Sequence, residues 1–257
     1  MIVKFDLKPY YFAGIIAVAL AVFYFVAQSW NSQALTDSTD LLFIAVSGVC
    51  LILAFLVVRK WGFRGNFGLV HLGLFLGVFL WFVAETIWAV YEMVFHIEVP
   101  YPSIADAFYL AGYVPFFLGL VQFLVFFKGG LTRRRVVMLS LFILVLLSGS
   151  GLVLINLLMI ESVDVLAKAS DVIYAVLDSF LACLAVAVAM NFGKHRFGIA
   201  WLWIALGMLL NVAADLAFSY GTLVGWYYSG NPIELLYIWS YLSLGLGFAY
   251  QTRNLAS

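Results

Sequence analysis

Residues 81–113 read WFVAETIWAVYEMVFHIEVPYPSIADAFYLAGY, and residues 210–241 read LNVAADLAFSYGTLVGWYYSGNPIELLYIWSY. The second stretch echoes the first about 130 residues later. Setting Gly77 on Gly207 puts Leu80 on Leu210, Ala84 on Ala214, Glu85 on Asp215 and Trp88 on Phe218. With two residues fewer in the following connection, Ser103 falls on Asn231, Asp106 on Glu234, Tyr109 on Tyr237, Tyr113 on Tyr241 and Gly119 on Gly247. Acid matches acid and ring matches ring. Self-similarity at a fixed period marks a repeated structural unit, and a period this long suits a duplicated membrane bundle rather than a solenoid.

Composition places the chain in lipid. Apolar residues make up 66% and charged residues 10%, with a mean hydropathy of +1.10, against about 45–50% and about 25% in soluble domains. The zero formal charge hides a marked sidedness, and no basic patch interleaved with aromatics lies outside the apolar runs, which excludes nucleic acid as a partner. Lys4 and Lys8 precede an apolar run from Tyr10 through Val26. That run is too long for a cleaved signal peptide and reads as a signal anchor. Cys50 and Cys183 stand singly in separate runs, as small buried hydrophobes do.

A spanning helix needs roughly 20 apolar residues. Eight stretches qualify, near 10–28, 41–59, 67–91, 104–127, 136–159, 167–191, 198–220 and 232–250. Twelve of the thirteen basic residues fall on one side of this scheme: Lys4, Lys8, Arg59, Lys60, Arg64, Lys128, Arg133, Arg134, Arg135, Lys194, Arg196 and Arg253, with Lys168 the exception. Basic residues flanking spans stay cytoplasmic, so both termini are expected there. Apart from Asp6, the acids lie in the outer loops or outer halves of the spans. The expected fold is an all-α integral membrane protein of eight transmembrane helices, built as two parallel four-helix repeats over 1–130 and 131–257. The first and fifth spans correspond only in length.

Glu85 and Asp215 are the strongest candidates for chemistry, each roughly 8 Å inside the outer end of its helix at 1.5 Å rise per residue. An ionised side chain at mid-membrane costs about 2.5–3.5 kcal/mol on insertion scales, so such groups face a bundle interior or a water cavity. Asn211 lies one turn before Asp215 and shares its face, as Trp81 shares that of Glu85. The alternative is that each carboxyl is protonated and ties helices together. Asp106 and Glu234 sit in helix-start patterns, Ser103-Ile-Ala-Asp106 and Asn231-Pro232-Ile-Glu234, and so read as capping acids as well as rim ligands. Asp171 and Asp178 share a face of the sixth span; Asp171 fits a helix start capped by Ser170, whereas Asp178 lies deeper.

Tyr91, Tyr101, Tyr109, Tyr113, Tyr174, Tyr220, Tyr227, Tyr228, Tyr237 and Tyr241 gather on the acidic side. They form either an interfacial belt or an aromatic cage in which ring faces and carboxylates hold a cation. His71, with no second His one turn on, reads as a hydrogen-bonded core residue; His96 falls in an outer loop and His195 in an inner one. The Gly73/Gly77 pair reads as a close-packing device, with Gly149, Gly151, Gly245 and Gly247 read the same way. HExxH, Walker-loop, GxSxG and paired Cys/His patterns are absent, so the reading is not that of an enzyme.

The run Pro100-Tyr-Pro-Ser-Ile-Ala-Asp106-Ala-Phe-Tyr109-Leu-Ala-Gly-Tyr113, after Trp88 on the preceding span, resembles the multi-helix membrane sensor regions that precede histidine-kinase, PAS or diguanylate-cyclase domains in bacterial and archaeal signalling proteins. The resemblance covers spans three and four and, through the echo, seven and eight, and its residues are Pro102, Ser103, Asp106 and Tyr109. It implies a sensor region without an attached output domain, hence a separate membrane or cytoplasmic protein partner. The expected function is recognition of a small cation, amine or metal ion by Glu85, Asp215, Asn211, Asp178, Asp106, Glu234, Tyr109 and Tyr237, in an acidic, Tyr-rich outer cavity between the repeats. The alternatives are a proton- or cation-coupled transporter and a structural subunit of a membrane complex.

Overall fold

Long apolar runs must pair every backbone N–H and C=O internally once water is excluded, and a helix does so within one segment. The computed structural model, which describes residues 8–126, 132–159, 164–192 and 196–253, has eight long helices and no strand among those residues. Lys4, Asp6, Lys128, Lys194 and His195, used above to assign sidedness and loops, and the 130/131 repeat boundary lie outside the described residues, as does Glu161.

The helices are α1 (Lys8–Ala27), α2 (Ser32–Trp61), α3 (Gly65–Ala89), α4 (Ile104–Phe126), α5 (Arg133–Met159), α6 (Val165–Phe192), α7 (Arg196–Val224) and α8 (Leu235–Arg253). Seven of them, α2 to α8, are long and apolar enough to cross a membrane. The chain is an all-helical, multi-pass membrane protein. Helix α1 is shorter in apolar length, and its Tyr11, Phe12, Ile15, Val18, Val22, Phe25 and Val26 side chains are exposed.

Hydropathy places the ends of several helices too far in. Helix α2 begins at Ser32 because Asn31 caps it, its Oδ1 accepting the Ala34 N–H at 2.9 Å. The polar turn that follows is helical although it is not lipid-like, and it carries Asp40 onto the core face. Helix α3 ends in a π-helical turn, Val90–Val94, and a 3-10 turn, Pro232–Glu234, leads into α8.

Helix α3 packs most extensively on α4, and α7 on α8. Helix α2 packs on α3 and crosses to α8; α6 packs on α7 and crosses to α4. Helix α1 rests on α8, whereas α5 rests on α6 and α7. Close approach of the paired helices depends on glycine. A Cβ on Gly119 would stand 2.8 Å from the Val70 carbonyl oxygen, and one on Gly247 2.9 Å from that of Ala200. Gly73 is similarly tight against the Pro115 carbonyl oxygen. Gly149 and Gly151 differ: among the described residues no atom lies within 4 Å of the Cβ position of either, so neither serves a close helix contact there.

Helices α2 and α6 bury the same register. Thr39, Asp40, Ser47, Cys50, Ala54, Val57 and Val58 are buried, and so are Ser170, Asp171, Asp178, Leu181, Ala185, Val188 and Ala189, each 131 positions later. Cys50 and Cys183 are both free thiols. At one end of the bundle, Lys60 Nζ donates to the Thr252 carbonyl oxygen at 2.6 Å and Arg135 to Asn191 Oδ1 at 3.2 Å. His71 bonds the Phe67 carbonyl oxygen at 2.7 Å and lies near the Trp61 ring, as a satisfied core histidine.

Candidate ligand-binding cavity

The acids lie toward the opposite end, where α3 and α7 finish and α2, α4, α6 and α8 begin. A cavity of about 100 Å³ opens among these six helices. A single ordered water needs roughly 10–15 Å³ of such space, so the cavity has room for several waters or a small solute. Six carboxylic side chains (Asp40, Glu85, Asp106, Asp171, Asp215 and Glu234) and seven tyrosines line it, and among the described residues no lysine, arginine or histidine stands in the wall.

Helix geometry explains the convergence. Asp215 sits one turn after Asn211 on α7, and Asn211 Nδ2 donates to Asp215 Oδ2 at 2.8 Å and to Asp178 Oδ1, on α6, at 3.3 Å. Tyr237, near the start of α8, donates to Asp215 Oδ1 at 2.6 Å. One turn on, Tyr241 crosses to Glu85 Oε1 on α3 at 2.7 Å, and Tyr109 on α4 lies beside Glu85. Tyr113, one turn after Tyr109, donates to Asp178 Oδ1 at 2.5 Å. Each deep carboxyl thus receives a phenol.

The rim acids combine two roles. Ser103 N–H donates to Asp106 Oδ2 at 2.6 Å while Ser103 Oγ accepts from Ala105 N–H at 3.1 Å, which is the expected capping box. The other Asp106 oxygen takes the Tyr174 hydroxyl at 2.9 Å. Asn231 caps its turn through Ile233 N–H. Glu234 instead turns away from its own helix start and accepts from Gly230 N–H at 2.8 Å, Tyr227 at 2.9 Å and Tyr24 of α1 at 3.1 Å.

Asp171 requires a correction. Helix α6 begins at Val165, and Asp164 Oδ2 accepts the Leu166 N–H at 3.1 Å, so the helix start is already capped. Ser170 and Asp171 lie more than a turn inside, and Asp171 accepts from Tyr101 at 2.9 Å and Ser219 at 2.8 Å. It belongs to the wall.

Of the residues singled out in the sequence, Glu85, Asp215, Asn211, Asp106, Glu234, Tyr109 and Tyr237 share the wall, while Asp178 stands behind Asp215. The tyrosines divide. Tyr101, Tyr109, Tyr113, Tyr174, Tyr227, Tyr237 and Tyr241 line the cavity, whereas Tyr220 and Tyr228 are exposed and Tyr91 is not in the wall. Burial, and then the adjoining Asp171 and Glu234 respectively, push the phenols of Tyr101 and Tyr227 far above the usual tyrosine range. Both remain donors at any physiological pH.

Sequence reasoning missed Asp40 and Glu92. Glu92, in the π-helical turn, is buried, accepts from Trp88 at 3.1 Å and from Ser229, and lies beside Asp40. A π-helical turn often accompanies a functional site, but the sequence carries no mark of it.

Among the described residues, no three His, Cys, Asp or Glu side chains converge as metal ligands. What the wall offers is acceptor atoms and ring faces without a fixed positive charge. Such a wall complements a hydrogen-bond-donating cation. Compared with known proteins, the chain matches no family, no curated protein and no solved structure.

Proposed function

We propose that this chain is a membrane sensor that binds a small cation or amine from the outer side and signals through a separate protein partner. The carrying observation is the wall of six carboxylic side chains and seven tyrosines, with no basic residue among those described. Helix α1 also crosses the membrane in this reading, giving eight spans in two parallel four-helix repeats with both termini cytoplasmic.

Three features support the duplication. The reciprocal crossings of α2 onto α8 and of α6 onto α4 are what a twofold axis between repeats requires. Trp88 and Phe218, matched in the sequence echo, also touch each other, their rings 6.3 Å apart and edge-on, as equivalent residues beside such an axis do. The shared buried register of α2 and α6 extends the correspondence beyond the echo itself.

Binding without transport is favoured by what lies below the cavity. Leu74, Phe116, Leu120, Phe123, Ile204 and Phe248 are fully buried and fill the bundle between the acids and the basic end.

The test is a melting curve of the purified protein against sodium, divalent cations, polyamines and quaternary amines, beside Glu85→Gln and Asp215→Asn. A ligand of the folded state at ~100 times its dissociation constant adds about 2.7 kcal/mol. A shift with one cation class, lost in both variants, is the expected result; no shift with any of them overturns the reading. Uptake of the binding cation into sealed proteoliposomes would replace the sensor with a transporter.

A further inference from the structure

The cavity wall is nearly twofold in its chemistry. Asp40 pairs with Asp171 and Phe43 with Tyr174 in the register shared by α2 and α6. Glu85 pairs with Asp215, Trp88 with Phe218, Asp106 with Glu234, Tyr109 with Tyr237 and Tyr113 with Tyr241. Each repeat therefore brings a deep carboxyl, a rim carboxyl, a carboxyl from its second helix and at least two phenols to the same space. A site made of two like halves complements a solute with two like ends.

Two carboxyl oxygens at the site also lack a hydroxyl or N–H donor. Asp40 Oδ2, in the first repeat, and Asp178 Oδ2, in the second, are buried oxygens that accept no hydrogen bond from a hydroxyl or N–H group among the described residues. Asp40 is 6% exposed and lines the cavity; Asp178 is 3% exposed and backs onto Asp215, which lines it. Each stands beside another carboxyl, Glu92 for the first and Asp215 for the second. A buried acceptor without a donor is costly, and more so beside a second carboxyl. The deficiency occurs in each repeat.

We infer that the ligand is a linear dication with like termini, an α,ω-diamine, holding one ammonium group against the Glu85 side of the wall and the other against the Asp215 side. An ammonium carries three donors. At each end these meet carboxyl oxygens and the free lone pairs of phenols whose protons already point at carboxyls, while aromatic faces surround the methylene chain. The repeats are not identical: Trp81 stands where Asn211 stands, and Ser47 where Asp178 stands. The Asp215 end is therefore the more polar, and the Glu85 end is bounded by the Trp81 ring. This inference rests on the cation-binding reading above and adds the number and spacing of charges.

Its test uses the purified protein, with unbranched α,ω-diaminoalkanes and the n-alkylamines of the same carbon count as titrants. Affinity for the diamines is expected to peak at one chain length, at least about tenfold tighter than the matching monoamine, as linking two binding groups allows. Glu85→Gln and Asp215→Asn should each erase that advantage. Diamines that bind no tighter than monoamines at every length overturn the two-ended ligand and leave a single-cation site standing. Absence of binding by diamines, monoamines, sodium and divalent cations overturns both readings. Should either variant fail to fold, the chain-length profile of the wild-type protein decides alone, because a one-ended site gives no diamine optimum.

Discussion

At the scale of single residues, the cavity is held by phenol–carboxyl bonds between different helices, and Tyr241 shows the consequence. It is 4% exposed and reaches from α8 to Glu85 on α3 at 2.7 Å. Replacing Tyr241 by Phe leaves the ring packing intact and removes a donor from a buried acceptor, which costs about 1–3 kcal/mol. Denaturant unfolding of the detergent-purified protein should show that loss. Once Glu85 is Gln the cost of Tyr241→Phe should change, because contacting residues couple. The sequence exposed Glu85, Asp215 and Asn211 because a polar group deep in an apolar run needs a partner. It did not expose Asp40, Glu92 or the true position of Asp171, since carboxyls near helix ends are inexpensive and spacing alone does not reveal which way a side chain faces.

At the scale of helices, the close pairs α3/α4 and α7/α8 depend on glycine against backbone, an arrangement in which no side chain can yield. Gly119→Ala and Gly247→Ala each drive a methyl against a carbonyl oxygen under 3 Å away. Each should destabilise by about 1–3 kcal/mol, the usual cost of overpacking, and by similar amounts if the two sites are equivalent. Gly149→Ala and Gly151→Ala on α5 meet open space and should be neutral or stabilising by up to about 1 kcal/mol through helix propensity. Denaturant titration of the four variants checks the contrast. Gly245/Gly247 and Gly149/Gly151 carry the same Gly-x-Gly pattern in the sequence; only the neighbouring helix tells them apart. Hydropathy likewise found all eight helices but set the start of α2 nine residues late, because it measures the lipid-facing stretch and not the capped, polar turn before it.

At the scale of the molecule, the cavity's meaning depends on which side of the membrane it faces, and the ends of the bundle differ enough to test it. Basic residues mark one end: Arg59 and Lys60 in the last turn of α2, Arg64 just before α3, and Arg133, Arg134 and Arg135 at the start of α5. The cavity lies at the other, beside the connection that carries Glu98. Basic flanks remain cytoplasmic during insertion, so the cavity should open outward. Single cysteines at Gln33 and Glu98, both exposed near the cavity end, should react with an impermeant maleimide in intact cells, whereas Arg64→Cys and Arg133→Cys should react only after permeabilisation. Cys50 is buried and Cys183 partly so, which keeps the background low. The reverse labelling pattern would turn the cavity toward the cytoplasm and make its ligand an intracellular amine. Labelling of both sets in intact cells would require the chain to insert in both orientations, which the twelve-to-one division of basic residues argues against.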